Sequence, residues 1–362
     1  MLTATGQISA AMGGTSYGGG FDRSSIADNP ANLSYQASGG DIQMSLLNIR
    51  SEASFIDPNI YYQSNQYVPV PSLSLVQHAN DKLSYGVAVV GSGASVDYRQ
   101  SVINGNNYAT AKDNLAMATI NPTLSYKLSR DLSIGAALHL GAQQFRAKGV
   151  IVRQDTQQQA IELPAHGNQW AGGYGFAIGT TWQFHPQWTA GASYISETVF
   201  SKLDGYRDDL LAISEGRLNL PERFGIGLSY RPNTQLKIGM DILRINWQDT
   251  DGFGRKTAFN WQNQTVYRFG MDYQINQVSS LRAGYSYANS FLDRNYTNAN
   301  LYTNAIAHKA ITVGYGHRFS FADLNLAYEY DLSAQAHGTN QSIDTNLKNH
   351  NHTLTLGFSK AF

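Results

Sequence analysis

Apolar and polar residues alternate with a period of two along most of the chain. Leucine and tyrosine occupy every second position of residues 324–331 (LNLAYEYD), and residues 267–274, 281–288 and 311–318 repeat the pattern. Successive side chains of a β-strand point to opposite faces, so each such segment predicts a strand with one apolar face. No helical period is sustained over a comparable length, and the pattern therefore predicts an all-β fold.

Fourteen segments of this kind are predicted, and the links between them alternate in length. The segments are 41–56, 68–78, 82–99, 115–128, 132–153, 168–184, 188–204, 216–231, 236–250, 264–275, 281–291, 309–319, 322–336 and 347–362. Short turns, as at 129–131 and 185–187, alternate with long polar links, as at 154–167 and 292–308. Short turns at one end and long loops at the other are typical of an up-and-down transmembrane barrel. We therefore predict a 14-stranded antiparallel transmembrane β-barrel.

The composition places this barrel in a membrane. Only 14% of the residues are charged, against about 25% in soluble globular proteins. No segment approaches the roughly 18 to 20 consecutive apolar residues of a spanning helix, and in hydrocarbon only a helix or a closed sheet pairs every backbone group. Trp182, Phe184 and Trp188 flank one short turn, as in an interfacial aromatic girdle. The terminal Phe362 on a final alternating strand resembles the recognition signal of bacterial outer-membrane proteins, so we expect that location.

Charge and candidate chemistry exclude several functions. Lys and Arg together number 26, as do Asp and Glu, so the chain has no basic field that would bind nucleic acid. The absence of cysteine removes thiolate metal sites and cysteine nucleophiles. His350 and His352 share one face but have no evident third ligand, and no serine and histidine stand in a nucleophile motif. We therefore expect no enzymatic activity, no metal and no cofactor.

The first forty residues do not share the alternation. They are rich in glycine, as at 13–14 and 18–20, and polar through Asn32. Such a segment is either disordered or folded inside the pore. A fourteen-stranded barrel without a plug would leave an aqueous channel, which favours the second alternative. We predict an N-terminal hatch, or plug, over residues 1–40 and a transmembrane barrel over residues 41–362.

Short motifs along the whole chain resemble one family. They are 11–15 (AMGGT), 28–33 (DNPANL), 70–72 (VPS), 80–82 (NDK), 85–86 (YG), 220–222 (LPE) and the terminal phenylalanine. In this order they resemble the FadL family of outer-membrane transporters for long-chain fatty acids and other hydrophobic compounds. Members of that family carry a Gly-rich stretch and an N-P-A motif in an N-terminal hatch, and the motif is matched here by Asn29, Pro30 and Ala31.

The resemblance implies passive uptake of a hydrophobic small molecule. Substrate caught by extracellular loops would enter an apolar pocket and leave sideways into outer-membrane lipid at a kink in the third strand, matched here by Gly91, Ser92 and Gly93. Two glycines around one residue favour a local break in pairing; the alternative is a β-bulge that only adjusts curvature. We further hypothesise that the Asn29 amide ties the hatch to this kink, and we expect the protein to be a monomer.

Three arginines are candidate ligand-binding residues. Strand parity places Arg268, Arg282 and Arg318 on inward faces. An unpaired arginine would bind a fatty-acid carboxylate through bidentate hydrogen bonds. The alternative is an ion-pair network that stiffens the barrel. Because a hydrocarbon needs no such cation, the pairing state of these arginines separates the two substrate classes.

A general diffusion porin is the alternative function. It would share the strand number, the aromatic girdle and the terminal phenylalanine. It would also require a charged constriction on an inward-folded loop, and it would have little use for forty Gly-rich residues before the first strand. Conductance in a planar bilayer separates the two, because a porin gives large, steady, ion-conducting steps whereas a plugged transporter stays nearly closed.

Overall fold

Fourteen antiparallel strands form the wall of the barrel in the computed structural model, which describes residues 4–103, 108–153, 160–254, 257 and 259–362. The main sheet has 15 strands, one of which is the two-residue piece Val199–Phe200. The fourteen wall strands are β1 Gly39–Phe55, β2 Asp57–His78, β3 Leu83–Asp97, β4 Lys112–Lys127, β5 Leu132–Lys148, β6 Gln169–His185, β7 Trp188–Ile195, β8 Arg223–Tyr230, β9 Leu236–Ile245, β10 Gln264–Gln274, β11 Ser279–Ala288, β12 Lys309–Arg318, β13 Asp323–His337 and β14 Asn346–Ala361. The predicted all-β class and strand number are confirmed.

Pairing of the first strand with the last closes the barrel. β1 and β14 run antiparallel from the Gly39–Ala361 pair to the Ala53–Leu347 pair, and each other strand pairs with the next one along the chain. The links are short at one end and long at the other, apart from the single residue Ile56 between β1 and β2. Short turns face the periplasm in bacterial outer-membrane barrels, so the long links are extracellular.

β2 begins earlier than the sequence predicts. It starts at Asp57 instead of residue 68, and it is paired with β1 along nearly its whole length. Its first residues are polar on both faces, as in QSNQ at 63–66, so they lack the apolar alternation from which strands are predicted. Ile56 makes the tight turn between the two strands with a φ of 69°.

β7 and β8 are shorter than predicted. The sequence predicts strands over 188–204 and 216–231, whereas β7 ends at Ile195 and β8 begins at Arg223. Beyond the pair that these two residues form, the ladder resumes only as a single bridge. Pro221 lies in the interruption and has no N–H to donate to the ladder.

The two faces of the wall differ as a membrane barrel requires. Apolar side chains such as Leu138 and Ile226 are exposed on the outer face. The rings of Trp182 and Phe184 lie 5.6 Å apart near a periplasmic turn, and Trp188 stacks on Tyr230 with 4.1 Å between ring centroids. Within the described ranges, no helix is long and apolar enough to cross a membrane.

Residues 4–38, which we call the N-terminal segment, lie inside the barrel. They form three short 3₁₀ helices, Ser9–Met12, Arg23–Ala27 and Pro30–Tyr35, and nearly all of their side chains are buried. Glycines on the inner face of the wall make this close approach sterically possible. A Cβ atom at Gly270, for example, would collide with the backbone of Met12.

Candidate functional site

Buried polar contacts hold the N-terminal segment to the inner face of the wall. The backbone N–H of Ser16 donates to Asp241 Oδ2 at 2.6 Å. Arg23 forms an ion pair with Asp41 of β1, with 2.7 Å between Nη1 and Oδ1, and both side chains are buried. Buried polar contacts are strong when complete and costly when broken, so the segment occupies one defined position in the lumen.

Asn29 caps the third 3₁₀ helix and binds β6. Its Oδ1 accepts a hydrogen bond from Ala31 N at 3.1 Å, which is the usual role of asparagine before a helix. Its Nδ2 donates to Tyr17 O and Thr180 O, both at 3.1 Å, and to Thr181 Oγ1 at 3.2 Å. The predicted link from Asn29 to the third strand is therefore wrong, because the capping geometry directs the amide to β6.

Pro30 and Ala31 lie against β5. Ser133 Oγ donates to Ala31 O at 3.0 Å, and a Cβ atom at Gly135 would collide with the backbone of Pro30. Proline at the first position of a helix has a favourable φ and lacks only an N–H that would be unpaired there. The whole N-P-A motif thus packs on β5 and β6.

Apolar side chains make the contact between the N-terminal segment and the third strand. Ile26, Ala27 and Leu33 are buried together with Val76 of β2 and Ala88 of β3. The sequence analysis did not identify these residues. The signal that would have found them is an isoleucine and a leucine within an otherwise polar and small-residue stretch.

Pairing between β2 and β3 stops at the glycines predicted to form the lateral exit. The ladder ends at the Ser72–Val90 pair, and Gly91, Ser92 and Gly93 follow directly. β3 stays paired with β4 through these residues without a shift of register. The glycines therefore form no β-bulge against β4, and the interruption lies entirely on the side of β2.

Two prolines account for this interruption, which we call the β2–β3 seam (residues 65–71 of β2 and 91–96 of β3). The ladder between β1 and β2 runs unbroken through Pro69 and Pro71. Proline has no N–H, so it fits only the non-hydrogen-bonded positions of the ladder with β1. At those positions the backbone N–H would point away from β1, and the N–H groups that Pro69 and Pro71 lack would therefore face β3. Continuing the register places Pro71 opposite Gly91. Two prolines at i and i+2 are a signal that the sequence analysis left unused.

A cavity of about 70 Å³ lies behind the seam. Gly91 and Ser92 of β3, Ala27 of the N-terminal segment and Ile195 at the end of β7 line it. An apolar cavity of about 150 Å³ holds one benzene molecule. The observed space is therefore too small for a hydrophobic substrate until the segment or the seam moves.

A second cavity, of about 260 Å³, lies among the extracellular loops. Ile151, Phe259 and Tyr302 line it together with Asp113, near the start of β4. Ile151 N donates to the Tyr302 hydroxyl at 2.6 Å, and burial raises the pKa of Tyr302, so this phenol stays neutral. The lining residues come from loops that are distant in the sequence, and no local motif marks them.

The three candidate arginines have partners. Arg282 Nε lies 3.4 Å from Asp272 Oδ1, and both side chains are buried. Arg268 Nη1 donates to a backbone carbonyl of the N-terminal segment at 2.8 Å. Arg318 is exposed, with its Nε 3.3 Å from Asp323 Oδ1. These contacts support the ion-pair alternative over carboxylate binding.

Comparisons with known proteins agree with this architecture. A family model described as outer membrane protein transport protein (OMPP1/FadL/TodX) matches residues 2–359. The solved toluene transporter TodX of P. putida has a TM-score of 0.74 at 18% identity, covering 100% of this chain and 99% of that one. A Pseudomonas aeruginosa FadL homologue has a TM-score of 0.76 at 16% identity, with the same two coverages. The toluene transporter TbuX of Ralstonia pickettii has a TM-score of 0.71 at 16% identity, again with coverages of 100% and 99%. A search of curated proteins found no match.

Proposed function

Because the chain belongs to the OMPP1/FadL/TodX family of outer membrane transport proteins, we propose that it carries small, uncharged hydrophobic compounds passively through a seam in its wall. The barrel lies in the bacterial outer membrane, and members of the family are transport channels for hydrophobic compounds. In our proposal the chain is such a channel and has no enzymatic activity. One copy is sufficient, because its own first and last strands close the barrel.

The observation that carries the proposal is the β2–β3 seam with a cavity directly behind it. Among the described residues, backbone pairing between neighbouring wall strands is interrupted elsewhere only over shorter stretches, as between β7 and β8, between β4 and β5 around Pro122, and between β13 and β14 at Asp331. At the seam, unpaired edges of β2 and β3 lie side by side, and Gly91 and Gly93 contribute no side chains there. A molecule in the cavity at Gly91 would therefore reach the bilayer sideways without breaking a hydrogen-bonded ladder.

Transport along this route needs no energy source. An apolar solute gains roughly 25 cal/mol for each Å² that leaves water, so an apolar pocket attracts it from the aqueous side. We propose that the 260 Å³ cavity among the extracellular loops receives the solute first. Its apolar lining continues inward through a cluster of buried residues that includes Phe145, Phe200 and Leu203.

The N-terminal segment is the moving part in this proposal and acts as the hatch. The cavity of about 70 Å³ at the seam must enlarge before substrate occupies it. Ala27 borders that cavity, and the neighbouring Ile26 packs on β3. A solute that binds the enlarged state more tightly shifts the population toward it in proportion to the difference in affinity.

The pairing of the candidate arginines and the cavity volume support uncharged substrates over fatty acids, and Arg223, which lines the cavity at the seam, is itself 3.6 Å from Asp28 Oδ1. Arg282 and Arg318 are occupied by carboxylates, and Arg268 by a carbonyl of the hatch, so no guanidinium among these three is offered to a fatty-acid head group. The 260 Å³ cavity suits a substituted single ring. TodX and TbuX, which share the fold, are toluene transporters. A diffusion porin is not favoured, because the N-terminal segment fills the lumen.

A reversible crosslink across the seam tests the proposal. A Cβ atom at Gly91 would lie 3.0 Å from Val70 Cγ1, which is within the reach of a disulfide. The chain has no cysteine of its own, so the double variant V70C/G91C forms no other intramolecular disulfide. We expect bacteria that express it to accumulate radiolabelled ethylbenzene when the bond is reduced and to stop when it is oxidised.

The control is a crosslink in the intact part of the same ladder. Leu73 and Val89 are paired there, so L73C/V89C joins the same two strands without closing the seam, and oxidation should leave uptake unchanged. Thiol labelling measures bond formation in both variants. Undiminished uptake by fully oxidised V70C/G91C would refute exit through the seam and would direct attention to the interruption between β7 and β8.

A further inference from the structure

A buried carboxylate in the extracellular cavity has no hydrogen-bond partner on one of its oxygens. Asp113 is only 6% exposed. Its Oδ1 is buried and unpartnered among the residues that the structure describes. Asp113 lines the 260 Å³ cavity. An oxygen buried in this way costs free energy unless a donor reaches it, so the occupant of the cavity is the natural source of that donor.

Three polar side chains near Asp113 make hydrogen bonds to backbone groups and not to its carboxylate. Ser95 Oγ donates to the backbone carbonyl of Asp113, at 3.4 Å, and not to its carboxylate. The Tyr302 hydroxyl accepts from Ile151 N at 2.6 Å. The Tyr206 hydroxyl accepts from Ala147 N at 2.9 Å. The fold therefore leaves one buried carboxyl oxygen without a donor at the edge of a cavity that apolar, tyrosine and amide side chains line.

We propose that this cavity is a binding site for single-ring alcohols and phenols, whose hydroxyl donates to Asp113 Oδ1. The inference rests on the proposed function and names the class of substrate that it favours. The cavity of about 260 Å³ exceeds the roughly 150 Å³ that holds benzene, so it accommodates one ring with a substituent. Ile151 and Phe259 face the ring, and Asp113 meets the hydroxyl.

Asp113 also determines which head groups are disfavoured. A carboxylate ligand has only acceptors, so an ionised Asp113 repels it and gains no hydrogen bond from it, whereas a protonated Asp113 would donate to it. An ammonium group would pair with Asp113, but it would have to be desolvated along the apolar route below the cavity, at a much higher cost than a hydroxyl. A neutral hydroxyl gives the hydrogen bond without that penalty. In either protonation state of Asp113, one carboxyl oxygen remains an acceptor.

A matched pair of ligands and a matched pair of variants test the site. Titration calorimetry of the detergent-solubilised protein, with protein-free micelles as the blank, compares 4-ethylphenol with ethylbenzene, which differ only in the hydroxyl. After correction for partition into micelles, we expect the wild-type protein to bind the phenol about tenfold more tightly or better. D113L replaces both carboxyl oxygens by methyl groups and should abolish the preference for the phenol. D113N keeps one acceptor oxygen and should retain part of the preference for the phenol.

The possible results distinguish a failure of the Asp113 site from a failure of the proposed function and from misfolding of the variant. D113L should unfold at a higher temperature than the wild-type protein, because it removes an unpaired buried oxygen, and the mobility shift of unheated barrels in gels shows that it is folded. An equal preference in D113L and the wild-type protein, or no preference in the wild-type protein, would overturn the site. If bacteria with the wild-type protein accumulate neither compound, the proposed function fails whatever the calorimetry gives.

Discussion

Val70 of β2 packs against Gly91 of β3, with Val70 Cγ1 only 3.0 Å from the position that a Cβ at Gly91 would take. The Val70 side chain is 8% exposed and lines a small cavity that also touches Gly91. Above the Ser72–Val90 pair no backbone ladder joins the two strands, so side-chain packing replaces hydrogen bonding at this point. At Gly91 the seam is therefore closed by a valine side chain that fits against a glycine.

This contact predicts a compensating pair of substitutions. G91A should lower the free energy of unfolding by about 1 to 3 kcal/mol, because its methyl group overpacks against Val70 and the Pro71 carbonyl, 3.1 Å away. V70A alone should also destabilise the barrel and should speed ethylbenzene uptake by opening the seam. V70A/G91A should lose less stability than the two single changes together, because the new methyl fills the space that the valine leaves. Urea denaturation in lipid vesicles measures the coupling, and strictly additive effects would contradict the contact.

Restoring the missing donors of β2 should close the seam. P69V/P71V supplies two N–H groups that face β3, with position 71 opposite Gly91 in the continued register. Each new backbone hydrogen bond should add about 0.5 to 1.5 kcal/mol of stability, while ethylbenzene uptake should fall. P58V, in the same strand but outside the seam, should change neither quantity. If the double variant takes up substrate as fast as the wild-type protein, the prolines do not keep the seam open.

Most strands of the barrel could be predicted from the sequence, because one face of a membrane strand contacts lipid and the other faces the lumen. Residues 324–331 alternate strictly, and they form the first half of β13, within the predicted strand 322–336. The prediction fails where a strand leaves the bilayer, as in the polar start of β2 at Asp57. There both faces are hydrated, and backbone pairing alone holds the strand.

The site was less predictable, because contacts between distant segments decide it. The N-P-A motif and the glycines at 91 and 93 stand out in the sequence, but their partners do not. Asn29 binds Thr180 of β6, a contact that no local pattern encodes. In the sequence, Asp113 is indistinguishable from other charged residues at strand ends. Its unpartnered Oδ1 is apparent only in the structure, where residues of five separate loops line the same cavity.

Removal of the Asn29 amide should loosen the hatch. N29A leaves the buried carbonyls of Tyr17 and Thr180 without this donor, and each unsatisfied group costs about 1 to 3 kcal/mol. We expect a folded barrel that gives larger ion-conducting steps in planar bilayers than the nearly closed wild-type protein. Q36A is the control, since the Gln36 side chain makes a weak hydrogen bond of 3.5 Å to Gly19 O at the end of the same segment. Wild-type conductance in N29A would show that other contacts hold the hatch.

The paired arginines should contribute to stability and not to the choice of substrate. R282Q breaks a buried pair and leaves Asp272 with the more distant Lys237, whose Nζ lies 3.9 Å away, so the free energy of unfolding should fall by up to about 3 to 5 kcal/mol. R318Q breaks an exposed pair and should cost less than about 1 kcal/mol. Neither variant should change the ratio of decanoate to ethylbenzene uptake, because in our proposal these guanidinium groups do not bind substrate. A selective loss of decanoate uptake in R282Q, with ethylbenzene uptake intact, would instead identify Arg282 as the group that binds a fatty-acid carboxylate.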